Sequence, residues 1–212
     1  MTSLFVGPIY RHVSKESYAD QFVDGESIRV STFQTCREYE DDEQGDAEEG
    51  HLHYVNTHIT DEHPGFNEIA AKFKLEISGV KDVILNNNRL IQVVDDAYVI
   101  CFSVNIFDEC LKKKFGDYPV RVNNISSFAG VLLHAMRKAV NAQFFMCGMV
   151  NYKDRLYKDF ESPPGHVCFL KPSVPFSAQR EFRFVIMCPP GHIYKPFNLK
   201  VAMPSGLCVR MS

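Results

Sequence analysis

The clearest alternation of polar and apolar positions in the chain runs from Gln179 to Met187. A period of two places Gln179, Glu181 and Arg183 on one face of a strand, and Arg180, Phe182 and Phe184 on the other. An earlier strand pattern occupies residues 4–13, interrupted at Gly7-Pro8, with Ile9 and Arg11 on one face and Tyr10 and His12 on the other. A helical pattern follows over 14–23. Ser14 offers an N-cap, Tyr18, Phe22 and Val23 form the apolar stripe, and Gly25 ends it. Residues 28–33 read as the next strand, so the chain opens as strand, helix, strand.

Further along, the spacing of Phe66, Ile69, Ala70 and Phe73 predicts a helix over 64–73. Strand patterns at 83–85, 89–94 and 97–104 are separated by the turn-forming runs Asn86-Asn87-Asn88 and Asp95-Asp96, which predicts an antiparallel meander. A short amphipathic helix over 106–115, a strand at 120–122 and a helix capped by Ser126 or Ser127 and running to Val140 come next. A mostly apolar strand at 144–152 leads into a polar loop at 153–165. Two short strands near 199–201 and 207–209 close the chain. This succession predicts an α+β fold, a single domain over residues 1–212 with a mostly antiparallel sheet flanked by helices.

Composition narrows the picture without changing it. A chain of 212 residues buries about 70% of its unfolded surface, so it needs no metal or disulfide to make a core. Seventeen Phe and nine Tyr against no Trp point to a core of aromatic rings. The net charge of −3 argues against a sequence-independent nucleic-acid binder, which carries a basic stripe. Lys112-Lys113-Lys114 and Arg180 with Arg183 leave room for a local basic surface. The seven cysteines are widely spaced, form no Cys-x-x-Cys pair, and several sit in apolar runs, so they read as buried reduced thiols. No apolar stretch reaches membrane-spanning length, and the expectation is a soluble, cytoplasmic protein with no membrane partner.

Two clusters carry candidate chemistry of their own. The acidic segment 38–50 holds Glu40, Asp41, Asp42, Glu43, Asp46, Glu48 and Glu49, and Gly45 and Gly50 make it flexible. It reads as a solvated insertion, or as a lid or partner-docking loop, since it follows directly on Ser31-Thr32. His51 and His53 share one strand face with Asp61 and Glu62 close in sequence. No His-Glu-x-x-His signature is present, so no metal site is assigned, and the histidines read as surface or supporting groups.

Three short elements taken in order say more than any of them alone: Tyr10-Arg11 on the first strand, Ser31-Thr32-Phe33 on the second, and Gln179-Arg180-Glu181 at the mouth of a late one. This order resembles the Arg–Ser–Glu class of mono-ADP-ribosyltransferases. Phe33 departs from the Ser-Thr-Ser-like pattern. The short gap from Arg11 to Ser31 is similar to the diphtheria-toxin-like and DNA-modifying branch, where His commonly occupies the first strand, and His12 stands beside Arg11. Strand alternation allows only one of Arg11 and His12 to face the site.

The resemblance implies a split sheet and a transferase that cleaves NAD at the nicotinamide N-glycosidic bond. Glu181 would stabilise an oxocarbenium-like ribose, and Gln179 would orient the acceptor. Arg11 or His12 would hold the pyrophosphate or ribose, with Ser31 and Thr32 beside them. Tyr152 or Phe33 would stack on nicotinamide. It further implies a protein or nucleic-acid acceptor, an inhibitory partner protein, and a role as a toxin or phage-defence effector. Two other readings stand beside it: an interaction module docking a basic partner through its acidic loop, and a metal-dependent hydrolase or nuclease built on His51 and His53.

Overall fold

The computed structural model describes residues 7–39, 45–106 and 109–211. Its architecture follows from β13 (Glu181–Met187), the strand with the strongest alternation, which pairs antiparallel with β7 (Tyr98–Ser103) on one side and β9 (Phe144–Met149) on the other. Phe182, Phe184 and Ile186 enter the main core, and Glu181, Arg183 and Val185 face the opposite way. β13 is therefore an interior strand, and its polar face is buried rather than solvated.

The other edge of β7 is shared. Near its end, Ser103 pairs with Tyr10 of β1 (Ile9–Val13); near its start, Tyr98 and Val99 pair with Thr32 and Ser31 of β2 (Ile28–Thr32). The two strands thus part along a single neighbour, and the sheet forks between them. β8 (Tyr118–Val122) and β15 (Cys208–Arg210) extend the β1 branch, and β14 (Phe197–Leu199) extends the β2 branch. All these pairings are antiparallel.

One face of this sheet is covered by α1 (Glu16–Val23) and α5 (Ile125–Val140). Phe22 and Phe128 meet Phe102 and Phe184 of the sheet with ring centroids 5.6–6.2 Å apart. Each such side chain contributes about 1.5–3 kcal/mol by burial, and ring pairing adds about 0.5–1.5 kcal/mol. The caps differ from expectation. Asn124 rather than Ser126 or Ser127 caps α5, accepting the Ser127 N–H at 2.8 Å. Lys15 rather than Ser14 occupies the α1 cap, with no side-chain hydrogen bond.

The opposite face carries α2 (Phe33–Glu38), a helix that the strand reading of 28–33 did not anticipate. Thr32 ends β2 and its Oγ1 accepts the Thr35 N–H at 3.1 Å, which starts the helix one residue later.

The expected meander is also absent. β5 (Ile84–Asn86) pairs with β4 (His58–Thr60), β6 (Arg89–Val93) with β3 (His51–Val55), and β7 with the fork. These outer strands and α3 (Phe66–Lys72) enclose a separate cluster around Tyr54, Phe66 and Ile69. Two short parallel pairings complete the chain: β11 (Leu156–Lys158) with β3, and β10 (Asn151–Tyr152) with β12 (Leu170–Lys171). The fold is α+β with a mostly antiparallel sheet. Among the described residues no helix is long and apolar enough to cross a membrane. Among the described residues Cys147, on edge strand β9, is exposed, against the reading of buried thiols.

Candidate functional site

A cavity of about 270 Å³ opens at the fork. Tyr10, Arg11 and His12 come from β1, Ser31 from β2, Cys101 and Ser103 from β7, and Gln179, Glu181 and Arg183 from the turn and start of β13. The end of α2 (Cys36), Tyr39 just beyond it, and α4 (Glu109–Phe115) through Leu111 and Phe115 close it from above.

Local backbone geometry sets up the Gln179–Glu181 pair. Arg180 is left-handed (φ 42°), a conformation rare for a residue with a side chain, and its own side chain is exposed. The turn is held by Ser103 Oγ donating to the Gln179 carbonyl at 2.8 Å and by the Val104 N–H donating to the Arg180 carbonyl at 3.1 Å. The Glu181 N–H donates to the Tyr152 hydroxyl at 2.8 Å. With that turn fixed, both Gln179 and Glu181 reach the cavity.

Glu181 belongs to a buried chain of alternating charges. Its Oε1 accepts from Arg183 Nε at 2.8 Å, and Lys171 Nζ stands 3.0 Å from its Oε2. Arg183 turns its two terminal nitrogens to Glu49, at 2.8 and 3.2 Å, and donates to the Cys168 carbonyl. All four side chains are shut from solvent. Lys171 lies off the hydrogen-bonding direction of Oε2, so that oxygen has a cation beside it but no aligned donor. Burial alone would raise the Glu181 pKa. The Arg183 and Lys171 charges, with hydrogen bonds from Arg183 and Cys101, outweigh it and hold the carboxyl well below the usual carboxylate range. Lys171 moves the opposite way: burial disfavours its charge, but Glu181 and Glu49 raise its pKa.

Across the cavity, Arg11 donates through Nη2 to the Arg29 carbonyl at 3.1 Å and lies 5.8 Å from the Phe102 ring. Its Nη1 is enclosed and has no hydrogen-bond partner. Burial lowers the Arg11 pKa, with the Arg29 charge adding to it, yet a guanidinium keeps its proton. His12 also lies in the wall, its Nδ1 3.1 Å from the Gly116 carbonyl. Alternation allowed only one of the two to face the site. Both do, because the cavity sits in the gap where β1 leaves β2, and a long side chain from the far face reaches through it.

Thr32 and Tyr152 are not in the wall. Thr32 is committed to capping α2, and Tyr152 stands behind Glu181 as the acceptor for its backbone. Burial, then the Glu181 charge, pushes the Tyr152 phenol up to about 12. Phe33, the other candidate stacking ring, is buried under Arg183, 5.9 Å from its guanidinium carbon. The aromatic rings that do line the cavity are Tyr10, Phe102, Tyr39 and Phe115.

The acidic segment is not uniformly solvated. Asp41, Asp42 and Glu43 lie outside the described residues. Beyond them, Asp46 forms a buried bidentate pair with Arg155, one contact at 2.9 Å, and Glu49 joins the chain above. Arg183 is likewise buried, so it adds nothing to a basic surface.

Donor atoms of Glu48, His51 and His53 gather within 4.8 Å of one another. Arg89 Nη2 stands 3.0 Å from His53 Nδ1, and since a guanidinium can only donate, that nitrogen is the acceptor. His53 Nε2 lies 3.4 Å from Glu48 Oε1 and, although buried, has no hydrogen-bond partner. Around His51, Arg37 and Arg155 add positive charge and Glu48 adds negative charge. By position these three residues could hold a metal ion, with Arg89 occupying the other ring nitrogen of His53. Lys171, Arg183 and Glu49 escaped the sequence reading. The one available signal was Arg183, two residues from Glu181 on the same strand face. Protein-family models, curated proteins and solved structures offer no match to this chain.

Proposed function

We propose that the protein is an ADP-ribosyltransferase that cleaves NAD at the nicotinamide N-glycosidic bond and passes ADP-ribose to a macromolecular acceptor. One observation carries this reading. Arg11, Ser31, Gln179 and Glu181, drawn from opposite ends of the chain, line a single cavity at the fork of the sheet.

The chemistry suits the arrangement. Breaking the glycosidic bond leaves positive charge on the ribose ring, and an ionised carboxylate at close range stabilises it. Glu181 is ionised across the neutral range, and its Oε2 lacks an aligned donor, so it would accept from a ribose hydroxyl. Arg11 Nη1, once ligand entry uncovers it, would supply a donor to a phosphate oxygen in the planar geometry a guanidinium offers. Gln179, at the turn beside Glu181, would orient the incoming nucleophile.

Incubation with NAD labelled separately on nicotinamide and adenylate tests the reading. The expected result is nicotinamide release together with adenylate label on a macromolecule in lysate. Glu181→Gln and Arg11→Ala should each lower release by about a hundredfold, the scale of one lost transition-state contact. Full activity in a folded Glu181→Gln variant sinks the assignment. A second reading has an observation of its own. The charges of Glu49, Arg183, Glu181 and Lys171 balance one another without a ligand, as in a non-catalytic interaction module. Such a module would neither bind nor consume NAD.

A further inference from the structure

We propose that Lys171 is a positioning residue of this site, its ammonium holding Glu181 and Gln179 in fixed relation across the cavity wall. The inference rests on the NAD reading and names a group that no motif in the sequence marked. β12 runs parallel to β10 with Lys171 opposite Tyr152, the residue whose hydroxyl holds the Glu181 backbone. The side chain is buried, and Nζ lies 4.8 Å from the Phe176 ring centroid. From there it reaches Glu181 Oε2 at 3.0 Å, Gln179 Oε1 at 3.4 Å and Glu49 Oε2 at 3.9 Å. The Gln179 contact is a hydrogen bond, and the two carboxylates are held by charge.

Glu49 is already matched by both terminal nitrogens of Arg183, so the shortest contact of Lys171, to Glu181, is the one that depends on it. Without it, Arg183 serves two carboxylates, and Oε2 loses its only cation. The groups facing Glu181 from the elements packed on it are Arg183 on β13, Lys171 on β12, Cys101 on β7 and Tyr152 on β10. Cys36 on α2 and Glu49 in the segment before β3 lie just behind them. Lys171 and Arg183 are the cations among these, and only Lys171 also touches Gln179.

Lys171→Met keeps the length and apolar stem. Its turnover of NAD should fall at least thirtyfold while KM changes less than threefold, and the acid limb of the pH profile should move upward. Lys171→Arg should recover part of both. If Lys171→Met does not fold, Lys171→Met combined with Glu49→Gln removes one charge of each sign. A positioning role predicts that turnover stays low in the double variant; a role in charge balance alone predicts that it recovers, which would overturn the proposal. The carboxyl resonance of Glu181 in ¹³C-glutamate-labelled protein reads the same contact without turnover, and should titrate at higher pH in Lys171→Met than in the wild type. A wild type that leaves NAD intact while this resonance shifts as expected defeats the NAD reading alone. An active wild type whose Lys171→Met variant keeps its turnover and its titration defeats the role given to Lys171.

Discussion

Replacing Glu49 with glutamine removes one negative charge from a place that no water reaches. Its carboxylate lies 2.8 and 3.2 Å from the two terminal nitrogens of Arg183, with both side chains about 1% exposed. Glutamine has the same shape but brings an amide N–H₂ against a group that can only donate. Arg183 and Lys171 would then share Glu181 alone, leaving one buried positive charge in excess. Breaking one partner of a buried pair costs about 3–5 kcal/mol. For a domain of this length about 1 kcal/mol moves Tm by 2–4 °C, so the melting temperature should drop by about 6–20 °C at pH 7. Thermal and urea unfolding followed by circular dichroism measure it. Burial adds a second signature: about 0.5 M NaCl should leave the deficit in place, since enclosed charges are poorly screened. Glu26→Gln, which breaks the exposed pair with Lys200, should cost less than about 1 kcal/mol and lose even that in salt. A Glu49→Gln variant that melts within about 2 °C of the wild type, or a deficit that salt abolishes, refutes the buried chain and returns Glu49 to the solvated acidic run.

Two further outcomes follow from the same geometry. Thr32→Val keeps the buried volume but deletes the Oγ1 that accepts the Thr35 N–H, so α2 should lose about 1 kcal/mol, read as a shift in the urea midpoint with an unchanged slope. Because the Glu181 carboxyl is held below its ordinary value of 4.5, its ionised form stabilises the fold above that pH, and the stabilisation is lost as pH falls from there through the depressed value. The stability gap between wild type and Glu181→Gln should therefore narrow as the solution is acidified below 4.5; a gap that stays constant from pH 7 to pH 3 contradicts the assigned ion pairs.

Alternation made the strands legible, and with them the face that Gln179, Glu181 and Arg183 share, because side-chain direction in a strand is a local property. Pairing is not local. The turn runs at Asn86-Asn87-Asn88 and Asp95-Asp96 do separate β5, β6 and β7, yet each strand finds a partner far away in sequence, so a meander read from turns alone was wrong. The hydroxyl pair Thr32 and Thr35 is a visible capping signal for α2, masked by the apolar Phe33 that continues the strand pattern of β2. Charge suffers most from this limit. Arg180 and Arg183 have the same formal charge three residues apart; one is exposed on a left-handed turn and the other is sealed between two carboxylates. Glu49 sits in a run of acids that looks uniformly solvated, and only the fold distinguishes it, because desolvating a carboxylate is tolerable solely where a partner waits. That partner comes from a strand 134 residues later. The proposed chemistry therefore depends on a residue pattern that could be read, Arg11, Ser31 and Glu181. It depends equally on a pattern that could not, the Arg183 and Lys171 charges that keep Glu181 ionised and the Glu49 that pairs with Arg183.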